Sequence, residues 1–112
     1  QLILVTGAPD FLIVPLAEFL DVPTVFAAKP EQRDSVYTGA LIPPLPYGPG
    51  KRELILAHAQ GMGLDLAGSY AYGDSPGDHD VLELVGYRLV VNPIRGMARM
   101  TRRRGWPVTM WK

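Results

Sequence analysis

Tyr70-Ala71-Tyr72-Gly73-Asp74-Ser75-Pro76-Gly77-Asp78-His79-Asp80-Val81-Leu82-Glu83 sets a short apolar run directly before a tight turn crowded with carboxylates, and then starts a helix. Asp74, Asp78, Asp80 and Glu83 fall within ten residues. Carboxylates this close repel one another at neutral pH, so a chain that keeps them at a strand end either solvates them or neutralises them with a cation. Hard oxygen donors, with no Cys and only two His in the chain, suit Mg²⁺ better than zinc. The simpler alternative is an acidic loop in which Asp78 caps the following helix, since Asp favours that position.

Outward from this turn, β-like and α-like segments alternate. Downstream, Asp78 to Val85 reads as a helix and Tyr87 to Val91 as an apolar strand ending at Asn92-Pro93. Ile94 to Arg104 reads as a basic helix and Pro107 to Trp111 as a last short strand. Upstream, Leu66 to Tyr72 reads as the strand that enters the turn. Before it, a helix begins at Lys51 and stops near Gly61-Met62-Gly63. His58 lies among its aliphatics and reads as a packed or surface histidine. Residues 29 to 50 read as loop and hairpin, a small β-flap near the functional edge that contains a strand over Val36 to Ile42. Val25 to Ala28 is a short strand. Phe11 to Leu20 has mostly helical spacing, with Pro15 in its first turn or at a kink. Leu2 to Val5 is a continuous β-favouring run, the pattern of a strand buried on both faces of a parallel sheet.

Repeated β-then-α units with short connections imply an α/β fold, a Rossmann-like parallel sheet with helices on both faces. Ligands gather at the carboxyl ends of such strands. Thr6, Asp74 and Asn92, each ending an expected strand, therefore belong on one rim. Thr6-Gly7 offers a hydroxyl and free amides before a helix, which is a seat for phosphate or only a cap. Lys51 stands at a helix start, where the dipole disfavours a cation, and this hints at an anionic partner unless the lysine is simply solvated.

At 112 residues the chain is one domain, and 47% hydrophobic with 20% charged residues excludes a disordered one. No apolar run approaches the roughly 18 residues of a membrane span, and the lack of Cys suits a reducing cytoplasm, the expected location. Charge is uneven: residues 1 to 87 hold four basic and eleven acidic residues, and 88 to 112 hold seven basic and none acidic. Gln1-Leu2-Ile3-Leu4-Val5 opens inside a strand-like run with no initiator Met, which reads as a piece of a longer or processed chain.

A hydroxyl, a lysine and a carboxylate pair on one rim are what phosphoryl chemistry on a metal requires. In their order and spacing these residues resemble the haloacid dehalogenase superfamily, most closely its phosphoserine phosphatase branch. The resemblance lies in Leu4-Val5-Thr6-Gly7, Tyr47-Gly48-Pro49-Gly50-Lys51 and Tyr72-Gly73-Asp74-Ser75-Pro76-Gly77-Asp78. Val90-Val91-Asn92-Pro93 and Arg104-Gly105-Trp106-Pro107-Val108 also look like this branch. It implies that Thr6 and the Gly7 amide bind the transferring phosphoryl group and that Lys51 neutralises it. It also implies that Asp74 coordinates Mg²⁺ directly and that Asp78 holds the metal's water shell or binds the ion itself, with Lys51 and Asp74 as the catalytic pair. Asp80 stands where a Pro is more usual and is left out of the metal site. Glu83 reads as a solvated helix face.

The same family works through an aspartyl-phosphate on the first Asp of an Asp-x-Asp-x-Thr motif, and the one Asp-x-Asp here is Asp78-His79-Asp80. The resemblance therefore implies that residues 1–112 are the C-terminal portion of a core domain. Its nucleophile, first strand and substrate-selecting cap would lie in an N-terminal segment on another chain or removed. That strand would sit between those ending at Thr6 and Asp74, so the chain alone is expected to expose two apolar edges and to need a complement. The expected substrate is a small phosphorylated metabolite. The alternative is an inactive scaffold or regulatory module. Arg95, Arg99 and Arg103, with Arg102 and Arg104 beside them, could bind nucleic acid or anionic lipid, but a solvated basic face is the expected reading.

Overall fold

Alternating apolar and amphipathic segments resolve into six strands and four helices in a computed structural model that describes all 112 residues. The strands form two three-stranded sheets. In the first, β1 (Ile3–Pro9) runs parallel to β2 (Thr24–Arg33), and the crossover between them is α1 (Asp10–Phe19). Pro15 falls in the interior of α1, beyond its first turn. The strand expected over Val25 to Ala28 is the first half of β2. It continues to Arg33 because β3 (Val36–Ile42) folds back on it antiparallel. Asp34 and Ser35 both take positive φ, 50° and 64°, the geometry a two-residue hairpin turn demands. The expected hairpin is therefore present, and every residue of β3 is exposed.

The second sheet is wholly parallel, in the order β4 (Tyr70–Gly73), β5 (Tyr87–Val91), β6 (Val108–Thr109). β4 is shorter than the expected Leu66 to Tyr72. Leu66 to Ser69 form a turn closed by the Ser69 N–H on the Leu66 carbonyl at 3.1 Å, and Gly68 sits against the Asp65 carboxylate. In chain order the two sheets are joined by α2 (Pro49–Met62), which stops at Gly63 with φ 64°. A 3₁₀ turn at Pro76–Asp78 leads into α3 (His79–Leu84), and α4 (Arg95–Arg104) follows β5. Leu82 of α3, Val90 of β5 and Met97 of α4 form the fully buried core, flanked by Ala71, Met100 and Trp106. On the opposite face of this sheet Tyr70, Tyr72 and Tyr87 are exposed, with the rings of Tyr70 and Tyr87 stacked at 4.8 Å. His58 of α2 packs edge-on against Phe26 at 5.5 Å.

β1 and β4 face each other without pairing. Between them lies a slot of about 270 Å³ whose walls are Ile3, Leu4 and Val5 on one side and Ala71 and Tyr72 on the other. Ile55, Val81 and Leu82 line it from the helices. The starts of both strands open on this slot and their ends open on one cavity, so the two edges run in the same direction. The split shows in the dimensions. The accessible surface is 7506 Å², where a compact chain of this mass exposes about 6,100 Å². The radius of gyration is 14.9 Å against about 13 Å for a compact domain of this length. No helix is long and apolar enough to cross a membrane.

Candidate active site at the strand ends

The acidic turn is built by its own side chains. Ser75 and Asp78 form a reciprocal capping box around the 3₁₀ turn. Asp78 Oδ2 accepts the Asp74 N–H at 3.0 Å, the Ser75 N–H at 3.2 Å and the Ser75 hydroxyl at 3.3 Å. It makes no side-chain cap to α3, so the capping role open to Asp78 in the sequence belongs instead to the turn that precedes the helix. Gly73 makes this possible, because a Cβ there would lie 2.6 Å from the Asp78 Cβ.

Asp78 Oδ1 accepts a hydrogen bond from Lys51 Nζ at 2.5 Å, and both side chains are largely buried. The anionic partner that a lysine at a helix start calls for is thus supplied from within the chain. Burial pushes the Asp78 carboxyl up, but the Lys51 hydrogen bond and charge, with the Asp74 and Ser75 amides, outweigh it and hold the group below its ordinary value. Lys51 reaches Asp78 because the start of α2 is pinned to the turn. The Gly48 N–H bonds the Gly77 carbonyl at 2.9 Å, and the Tyr47 ring lies where a Gly77 Cβ would stand. Pro49 opens the helix, where its fixed φ fits and its missing N–H has no intrahelical partner to lose.

Thr6, Gly7, Lys51, Asp74 and Asp78 all line one cavity of about 520 Å³ at the strand ends. Thr6 Oγ1 accepts the Ala8 N–H at 3.1 Å. The helix starts four residues later with Pro9 as its cap, so Thr6 does not cap it. Asp74 is exposed on the cavity, and its carboxylate enters no hydrogen bond or ion pair within the chain, whereas all of its backbone polar groups are used. Asn92, at φ 44°, exchanges two side-chain hydrogen bonds with the backbone of Trp111, at 2.8 and 2.9 Å. Asp80 lies in the first turn of α3 and outside the cavity lining.

Residues 1–83 match the model of the haloacid dehalogenase-like hydrolase family. The chain belongs to this family. Within it, a probable phosphatase of Mycobacterium tuberculosis (strain H37Rv) is 36% identical over 108 residues, which are 96% of this chain and 37% of that protein. A phosphoserine phosphatase of the same strain is 32% identical over 108 residues, 96% of this chain and 35% of that protein. A crystal structure of a protein of unknown function from Bordetella pertussis Tohama I superposes with a TM-score of 0.80 at 36% identity, covering 95% of this chain and 49% of that one. The chain thus spans little more than a third of the length of these two relatives.

For this hydrolase-family chain the motif residues come together as a group, but their neighbours on the cavity were not legible as such. Tyr47, Ser75, Tyr72 and Trp111 also line it. Tyr47 and Tyr72 stand inside the matched motifs and could have been found there. Trp111 carries no local signal, because the groups that bring it to the rim are distant in sequence: Asn92, nineteen residues away, through its side chain, and the Tyr72 ring at 6.0 Å.

Proposed function

We propose that this chain is part of a Mg²⁺-dependent phosphomonoester hydrolase that acts on a small phosphorylated metabolite. The observation that carries the reading is the convergence of Thr6, Gly7, Lys51, Asp74 and Asp78 on one cavity. The Thr6 hydroxyl and Gly7 amide bind phosphoryl oxygens, and the Lys51 ammonium, fixed by Asp78, offsets the charge that accumulates on them in the transition state. Mg²⁺ takes oxygen ligands, keeps several waters and needs only one or two carboxylates. The free Asp74 carboxylate with Asp78 beside it fits that requirement. Asp74 would hold the ion directly and Asp78, its oxygens mostly spent on the turn and on Lys51, would hold it through water. When bound, the ion supplies charge stabilisation to the phosphoryl group.

The nucleophile in this reading is an aspartate, outside these 112 residues, that forms an aspartyl-phosphate. The strand that bears it fills the slot between β1 and β4, pairing parallel to both edges and ending at the cavity. Residues 1–112 are then the C-terminal portion of the core domain. The test is phosphatase activity on a panel of small phosphomonoesters, measured on the chain joined to or mixed with a segment carrying Asp-x-Asp-x-Thr. Asp74→Asn should reduce turnover by on the order of a hundredfold or more. Activity that survives this substitution would remove Asp74 from the metal site. A complemented protein that is folded, inactive on every ester and indifferent to Mg²⁺ would instead make the fold a scaffold.

A further inference from the structure

A second cavity lies behind the acidic turn, apart from the strand ends. It measures about 470 Å³ and is lined by His79, Gly96, Arg99, Met100, Arg103 and Arg104. Four arginines of α4 share one arc of the helix. At 100° per residue Arg95, Arg99, Arg102 and Arg103 fall within about 100° of each other, opposite the buried Met97 and Thr101. None of the four has an acidic partner. Arg99 and Arg103, one turn apart, turn into the cavity, while Arg95 and Arg102 do not line it. Arg104 approaches from the end of the helix, bonded to Glu83 and lying over the Trp106 ring at 5.5 Å. His79 stacks on the same ring at 5.5 Å.

We propose that this cleft between α3 and α4 is a binding site for a small anion bearing more than one phosphoryl group, such as a diphosphate. Isolated arginines on a surface bind little, but guanidinium forks that converge on a concave site make paired, charge-assisted hydrogen bonds to phosphoryl oxygens. Arg99 and Arg103 offer two forks without acidic partners, and Arg104, bonded to Glu83, adds its charge at the rim, a set that suits two phosphoryl groups better than one. A cation in the same place is disfavoured. His79, Asp80 and Glu83 do lie within 4.8 Å of one another, but the Arg104 guanidinium already occupies Glu83. The cleft is built against the candidate active site, since Gly96 packs on Pro76 and the Ile94 N–H bonds the Asp74 carbonyl at 3.0 Å. The site is independent of the proposed phosphatase activity.

Trp106 supplies the readout, with Trp111→Phe removing the chain's other tryptophan. Titrating the purified protein with pyrophosphate at low salt should give a saturable change in Trp106 fluorescence. Arg99→Ala with Arg103→Ala should weaken binding at least about tenfold, and Arg99→Lys with Arg103→Lys should weaken it less, with far-UV circular dichroism unchanged in both. Thr6→Val, which removes the hydroxyl of the strand-end cavity and breaks no buried ion pair, should leave the binding in place. The proposal fails if no saturable change occurs, if the double alanine variant binds as before, or if Thr6→Val weakens binding as much as the double alanine variant does. It also fails if a single-stranded oligonucleotide binds more tightly than pyrophosphate and loses as much affinity on replacing Arg95 and Arg102, which would make the whole helix face the contact.

Discussion

Lys51 and Asp78 are each other's environment. Removing the lysine leaves a largely buried carboxylate without its counter-charge, and Lys51→Met should destabilise the fold by roughly 3 kcal/mol. The pH dependence follows from the lowered Asp78 group. Between its native value and 3.8, its ordinary value, the unfolded chain binds more protons, so stability rises with pH across that interval. The contribution is complete above about pH 4 and is lost as pH falls through the native value. In Lys51→Met the loss should begin at higher pH, because burial then acts with less to oppose it. Denaturant midpoints measured from pH 2.5 to 6 check both statements; parallel curves for the two proteins would contradict them. Asp74 is the opposite case. Its carboxylate contributes no bond within the chain, so Asp74→Asn should leave stability within about 0.5 kcal/mol of the parent while removing the Mg²⁺ dependence proposed for the complemented protein.

At the scale of an element, α2 matters through its two ends. Its first turn holds Gly50, where a Cβ would lie 1.7 Å from the Leu45 carbonyl oxygen, a backbone atom with no freedom to swing away. Its last turn holds Gly61, where a Cβ would meet nothing within 4 Å. The same substitution should therefore have opposite signs. Gly61→Ala should stabilise by about 0.5 to 1 kcal/mol through helix propensity. Gly50→Ala should cost on the order of 3 kcal/mol, displace the 45–48 loop and loosen Lys51. Gly77→Ala should fall between, since the obstacle is the Tyr47 ring, whose residue is 63% exposed and can turn outward. Thermal melts of the three variants order these costs, and a stabilised Gly50→Ala would show that the loop is not packed as described.

For the molecule as a whole, the decisive feature is the gap between its two sheets. Parallel strands are stable when paired and covered on both faces, and here β1 and β4 each leave an edge unpaired beside apolar walls. The excess over a compact surface, roughly 1,400 Å², is of the size such a division would expose. An apolar β-forming peptide that ends in Asp-x-Asp-x-Thr should therefore bind the chain and raise its melting temperature by several degrees, whereas a scrambled peptide should not. Without the peptide, the chain should bind a hydrophobic dye and sediment in a concentration-dependent way. A chain that melts cooperatively as a monomer, takes up no dye and ignores the peptide would close the slot as a docking place.

The sequence by itself determined the local chemistry of this protein. Apolar runs located β5, the body of α2 from Lys51 and hairpin territory over residues 29 to 50, because these are properties of neighbouring residues, whereas Pro49 and Gly50, which read as the end of that loop, form the first turn of α2. The order of Thr6, Lys51 and Asp74 within short motifs was enough to indicate the family, since residue type and spacing are read along the chain without knowing what packs against them. Local signals failed where distant groups compete. Leu66 to Ser69 has strand composition but turns, because Gly68 admits the Asp65 carboxylate and Gly86 the Ala67 backbone close to them. Asp78 has the composition of a helix cap, yet its carboxylate is drawn back to Asp74 and Ser75 and across to Lys51, twenty-seven residues away. Only the tertiary structure could decide that Asp78 is spent while Asp74 is free, that Trp111 reaches the rim, and that the exposed Arg99 and Arg103 share a cavity with His79. Each depends on which surfaces come to face one another, a property of packing that no single segment carries.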